Sequence, residues 1–152
     1  MMKNWPSYAE LLADANVLAG MRQAFEESDA GKSIAREQGG FLVRDPQTGS
    51  FAVVRLPSSQ RDRLEYPICP NGLFQGREIV GSFHTHPNTG REWRQEPGRQ
   101  DIRLSIEYPE TMGPHQFVIS RETTYHIDNE GVVSKCGKTA ELLKLGPAET
   151  NG

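Results

Sequence analysis

The run His84-Thr85-His86-Pro87 places two imidazoles two residues apart. On an extended strand, side chains at i and i+2 project to the same side, so both imidazoles can converge on one ion. Two neutral imidazoles suit zinc, and a catalytic zinc site typically adds a third protein ligand and a water. Taken alone, such a pair more often marks ordinary polar residues at the end of a strand. A metal site therefore needs further residues in its support.

Two carboxylates complete the pattern. Asp101 falls in the opening turns of a predicted helix, and the loop before that helix can fold it back over the strand end. The helix dipole favours a carboxylate there, so Asp101 is the expected third ligand. Zinc lowers the pKa of a bound water to about 7, and a nearby carboxylate can then take the proton. Glu37, soon followed by Gly39 and Gly40, is the candidate for that general base.

These segments together resemble the JAMM metalloprotease signature of JAB/MPN domains. That signature combines an early Glu, a His-Ser/Thr-His-Pro element and a later Ser-x-x-Asp. The resemblance extends over about residues 34–120 and is greatest to bacterial JAB-like domains, including those described as toxin-associated. The residues that carry it are Glu37 with Gly39-Gly40, His84-Thr85-His86-Pro87, and Pro97-Gly98-Arg99-Gln100-Asp101.

The resemblance implies a function and a fold. His84, His86 and Asp101 would bind Zn²⁺, and Glu37 would be the general acid/base. The family cleaves peptide or isopeptide bonds, often beside ubiquitin-like tails, so the expected partner is a protein or peptide substrate. Its fold is a single three-layer α/β/α domain with a central mixed sheet, similar to that of the cytidine deaminases.

The sequence departs from the family pattern at two places. Gly98 stands where the family has the serine that stabilises the oxyanion, and losing one such donor can cost ~100-fold in rate. Ser82, Thr85 or a backbone N–H at the helix start could replace it. The loop after Pro87 is longer than usual and carries Trp93, which either contacts substrate or tucks under its own loop.

Three other functions compete with this one. A zinc deaminase would need H-x-E with P-C-x-x-C, and neither histidine of the pair is followed by that glutamate. A non-catalytic scaffold of the same fold would normally have lost a ligand or the glutamate, and all four are present. A toxin or effector domain would use the same hydrolytic chemistry on a target in another cell. His115 and His126 are interpreted as structural.

The pattern of apolar residues predicts the elements that position these side chains. We expect a mixed α/β domain of helices packed on a central sheet. The predicted elements are, in chain order, a helix over 8–26 ended by Gly31, a hairpin over 37–43 and 51–54, a long connection over 57–76 with a short helix near 59–64, a buried central strand over 79–84, a helix with Pro97 in its first turn running to about Glu107, a second hairpin over 116–120 and 123–128, a strand at 132–133 and a helix over 139–145. Ile102 and Ile106 are expected on the buried face of the helix that follows Pro97.

Length and composition set the remaining limits. The 152 residues suit one domain with a core over about residues 8–146. A net charge of −3, from 17 basic and 20 acidic residues, lacks the basic excess of a nucleic-acid binder. No apolar run predicts a signal peptide or a membrane span, which favours a cytoplasmic protein, with delivery as an effector the alternative. Cys69 and Cys136 are expected to be free thiols.

Overall fold

The computed structural model describes residues 4–28, 37–57, 64–86 and 96–145. Within these ranges the chain has the mixed α/β character that the sequence predicts. The helices are α1 (Tyr8–Ala13), α2 (Ala15–Glu27), α3 (Arg99–Glu107), α4 (Pro109–Met112) and α5 (Thr139–Leu142). The strands are β1 (Gly39–Arg44), β2 (Phe51–Arg55), β3 (Leu73–Phe74), β4 (Arg77–His86), β5 (Gln116–Ser120), β6 (Thr123–Ile127) and β7 (Val133–Lys138).

The described strands form one mixed sheet in the order β2-β1-β4-β5-β6-β7, with β3 paired to the start of β4. β4 lies in the interior of the sheet, antiparallel to β1 and parallel to β5. The other neighbouring strands are antiparallel. A parallel pair cannot be joined by a tight turn and needs a crossover connection. α3 and α4 lie in that connection, between β4 and β5 in the chain.

Helices pack against both faces of the sheet. On one face, Val17 and Met21 of α2 join a core with Phe83 and Ile119 of the central strands. On the other face, Ile102 of α3 packs against a second core of sheet residues. Also on that face, Phe41, Val43 and Ile79 pack with Leu56 and Cys69. The described elements thus form three layers, with the sheet in the middle.

The predicted first helix is two helices in the structure. Asp14 ends α1, where its N–H donates to the Leu11 carbonyl, and its side chain also caps the start of α2 by accepting from the Val17 N–H at 3.0 Å. Ser7 caps α1 and exchanges hydrogen bonds with Glu10. Both helices present apolar residues to the same core, so the apolar spacing alone did not reveal the break between them.

Several predicted boundaries are wrong by a few residues. β1 begins at Gly39, so Glu37 precedes the strand rather than opening it. α3 begins at Arg99 with Gly98 as its N-cap, which leaves Pro97 outside the first turn. The expected buried face of α3 is also wrong in part, because Ile106 is 50% exposed and Ser105 is the buried residue.

Both predicted hairpins and the buried central strand are present, and β4 is longer than expected. The last strand and the last helix are also present, with shifted limits. The predicted helix near 59–64, the loop after Pro87 and the Gly31 helix end lie largely or wholly outside the described residues. Among the residues described, both cysteines are free and no helix is long and apolar enough to cross a membrane.

Candidate metal centre

Two histidines converge at the end of the central strand. His84 and His86 alternate along β4 with Thr85, so their rings project from the same face of the sheet. Their Nε2 atoms lie 3.1 Å apart. His84 is almost fully buried and His86 is partly exposed, with 17% of its side chain accessible. The pair therefore sits at the inner end of a surface opening.

Asp101 reaches the same point from the crossover helix. Its carboxylate oxygens lie 3.1 Å from His84 Nε2 and 3.4 Å from His86 Nε2. The Gly98 N–H donates to Asp101 Oδ2 at 2.8 Å, which holds the side chain over the first turn of α3. Asp101 is the third residue of α3, where the unpaired N–H groups of the helix start favour a negative charge.

Gln116 fastens α3 to the sheet, a role that sequence reasoning missed. Its side-chain amide donates to the Asp101 carbonyl at 2.8 Å and to the Ser105 hydroxyl at 2.6 Å. Gln116 pairs with Ser82 in the parallel register of β4 and β5, two residues before His84. A buried glutamine in an apolar strand was the available signal, because a polar side chain there needs hydrogen-bond partners.

The three side chains suit a four-coordinate metal ion. With metal–ligand bonds of about 2.0–2.1 Å, the ligand atoms of a tetrahedral site lie about 3.3–3.4 Å apart. His84 Nε2 and His86 Nε2 lie 3.1 Å apart, whereas the Asp101 contacts of 3.1 and 3.4 Å are made by different oxygens of its carboxylate. One ligand atom from each residue lies within 4.8 Å of the others. The three side chains therefore form a largely buried group that could bind a metal ion.

One feature of a complete metal site is missing from the described part of the chain. A ligating histidine usually donates its second ring N–H to an acceptor. The Nδ1 atoms of His84 and His86 are buried and have no hydrogen-bond partner there.

The charges also favour a cation at this point. Burial lowers the pKa of His84, but the Asp101 carboxylate outweighs this effect and, together with the charge of Glu37, raises that pKa to about 9. Burial opposes ionisation of Asp101, yet the two imidazoles hold the pKa of its carboxyl far below the usual range. The carboxylate therefore remains ionised inside the protein, and it needs a proton on a histidine or a metal ion beside it.

The ligands open into a cavity of about 740 Å³. Glu37 lines it, close enough for its charge to act on both His84 and Tyr66. Tyr66, which sequence reasoning missed, donates its hydroxyl to the Phe83 carbonyl at 2.7 Å. Burial, with Glu37 and Asp101, raises its pKa well above 10, so it stays a neutral phenol. The structure thus brings Glu37 to the same cavity as the three ligands.

The other predicted site residues lie in different places. Ser82 is fully buried, and its hydroxyl has no hydrogen-bond partner among the described residues. Thr85 is buried and pairs with Ile119, which belongs to the core under α2 on the opposite face. Neither residue lines the cavity. Gly98 contacts Asp101 through its backbone, and Trp93 lies outside the described residues.

The remaining histidines form a separate pair. His115 Nδ1 and His126 Nε2 lie 2.8 Å apart, and His115 Nε2 lies 2.7 Å from the Pro6 carbonyl. Tyr8 stacks on the His126 ring with centroids 4.5 Å apart. These contacts attach the N-terminal segment to the sheet, which agrees with the structural role expected for both histidines.

In comparisons with known proteins, no family model and no curated protein sequence matches the chain.

Proposed function

We propose that this protein is a zinc-dependent hydrolase that cleaves a peptide or isopeptide bond, with Glu37 as general acid/base. One observation carries the proposal: His84, His86 and Asp101 meet in the wall of a cavity that Glu37 also lines. The resemblance of these segments to the JAMM signature gives independent support from the sequence. A protein or peptide with an accessible tail is the expected substrate.

The donor set favours zinc among the common metals. Two imidazole nitrogens and one carboxylate oxygen are a typical ligand set of catalytic zinc sites, which keep one position open. When bound, zinc would activate a water and polarise the carbonyl of the scissile bond. Asp101 is held for this role by the Gly98 N–H, and α3 is held by Gln116.

Glu37 would move the proton. As a carboxylate it takes a proton from the attacking water, the new C–O bond forms, and the C–N bond then breaks. Glu37 returns the proton to the departing nitrogen, so the products are a carboxylic acid, which ionises in water, and an amine. The neutral Tyr66 phenol would line the same space without adding charge.

Metal analysis tests the proposal first. Protein purified without chelator should contain about one zinc per chain, because three ligands and one open position define a single site. His84→Ala and His86→Ala should both lose it. His115→Ala is the matched control, since it removes a histidine from the other pair. Retention of full zinc in both ligand variants would place the metal elsewhere.

Hydrolysis is the second test. The zinc-loaded protein is assayed on a broad panel of peptides and of isopeptide-linked conjugates, with a ubiquitin-like tail among them. Turnover that depends on Glu37 supports the proposal. Suppose instead that the loaded protein is inert on the whole panel and Glu37→Gln still complements a deletion. The protein would then be a metal-stabilised binding domain, the alternative that the sequence leaves open.

A further inference from the structure

Glu37 lies just outside the regular sheet, and the contacts of Gln38 beside it help to fix its backbone. The ladder between β1 and β4 begins with Gly39 opposite His84. Gln38 lies one step beyond, opposite Thr85. Its carbonyl accepts the Thr85 N–H at 2.8 Å, and its own N–H donates to the Thr85 hydroxyl at 3.0 Å.

The second of these bonds is unusual for a strand pair. At a hydrogen-bonded pair of a regular antiparallel ladder, the two opposite residues exchange both bonds through their backbones. Between Gln38 and Thr85 the threonine side chain accepts the bond in place of its carbonyl. The Thr85 hydroxyl is fully buried and lies on the face opposite the histidines, so it has no access to a substrate in the cavity.

A second contact holds Gln38 from the other side. Arg55, at the end of β2, donates to the Gln38 side-chain oxygen at 2.7 Å and pairs with Glu27 of α2 at 3.0 Å. The residue next to Glu37 is therefore attached to β4, to β2 and through Arg55 to α2. The β4 attachment is made by the residue that separates the two histidines.

We infer that Thr85 is a positioning residue, whose hydroxyl fixes the backbone beside Glu37 relative to His84 and His86. The inference rests on the proposed function, because it assigns Glu37 the role of the base. A misplacement of about 1 Å can cost ~100-fold in rate, since proton transfer requires hydrogen-bond distance. The threonine in the H-T-H element thus links the geometry of the base to that of the ligands.

Thr85→Val tests this with little change of shape, since valine replaces the hydroxyl with a methyl group and suits a strand. We expect zinc to remain at about one per chain, KM to change by less than about threefold and kcat to fall ~10–100-fold. Thr85→Ser keeps the hydroxyl and should recover most of the rate. Thr124→Val is the matched control, because it removes a buried threonine hydroxyl that bonds Thr139 away from the cavity.

A double-mutant cycle assigns the loss to Glu37. Once Glu37→Gln has removed the base, adding Thr85→Val should cost less than about twofold, because both changes act on the same group. An undiminished further loss in that background would overturn the inference. So would a Thr85→Val protein that keeps its zinc and the wild-type kcat. A wild-type protein that hydrolyses nothing would instead overturn the proposed function. The failure of the proposed function and the failure of this inference therefore give different results.

Hydrogen exchange on the metal-free protein gives a readout without catalysis. The Gln38 amide of the wild type should be protected, and Thr85→Val should speed its exchange at least ~10-fold while Thr85→Ser does not. The exchange rate of the Gln38 amide in the wild type tests this hydrogen bond even if Thr85→Val fails to fold. A Gln38 amide that exchanges as fast as an unstructured one would contradict the hydrogen bond on which the inference depends.

Discussion

Replacing Gly98 with serine tests the one site position at which the sequence departs from the JAMM signature. Gly98 is the N-cap of α3, and its backbone is extended, with φ −88° and ψ 174°, a conformation open to any residue. Among the described residues, a Cβ added there would meet only Asp101 Oδ2, at 3.8 Å. Gly98→Ser should therefore fit without moving the carboxylate that the Gly98 N–H holds.

Gly98→Ser is expected to change the stability little and the rate of hydrolysis much more. A serine N-cap is better than glycine by only a few tenths of a kcal/mol, which for a chain of this size shifts Tm by less than about 2 °C. The cap uses a lone pair of the hydroxyl oxygen and leaves its O–H free to donate. Because an oxyanion donor is worth ~100-fold or more, we expect kcat to rise at least ~10-fold.

The assay compares kcat, zinc content and Tm for the wild type, Gly98→Ser and Gly98→Ala. The alanine variant adds a Cβ without a hydroxyl, so it should not raise kcat. Ser82→Ala tests one of the hydroxyls that the sequence offered as a replacement, whereas the Thr85 hydroxyl lies on the opposite face of the sheet and is tested as a positioning group. If Gly98→Ser keeps its zinc and its kcat stays within about twofold of the wild type, the reasoning is refuted, because no donor is then missing.

Three further outcomes are expected. Glu37→Gln should keep its zinc while hydrolysis falls at least ~100-fold, and loss of the metal would make Glu37 a ligand instead. Burial and the neighbouring His115 lower the pKa of His126 to about 4. Between pH 6.5 and pH 4 the unfolded chain therefore binds a proton at this residue that the folded protein does not bind, so denaturant titrations should show the stability falling by up to about 3 kcal/mol over this range. His126→Gln should remove this part of the pH dependence. Asp14→Ala should cost about 1 kcal/mol in urea unfolding, because it removes the cap of α2; an unchanged midpoint would contradict that role.

Local patterns in the sequence were sufficient for the parts of the fold that depend on neighbouring residues. The H-x-H spacing on a strand puts two imidazoles on one face wherever that strand lies, because the alternation belongs to the backbone itself. Both hairpins are also local, since a short turn joins their strands. Asp101 at a helix start could be expected for the same reason, and the structure brings it to the two histidines.

Only the tertiary structure decided how the elements meet. The parallel pairing of β4 with β5, and the Gln116 amide that fixes α3 above it, join residues distant in the chain, and no local pattern encodes their contact. The same holds for Tyr66 in the cavity wall and for Thr85, whose hydroxyl faces away from the histidines and holds Gln38. Ile106 fits the apolar period of α3, yet half of it remains exposed. Periodicity shows which face of an element can be buried, whereas packing against distant residues decides which part of that face is covered.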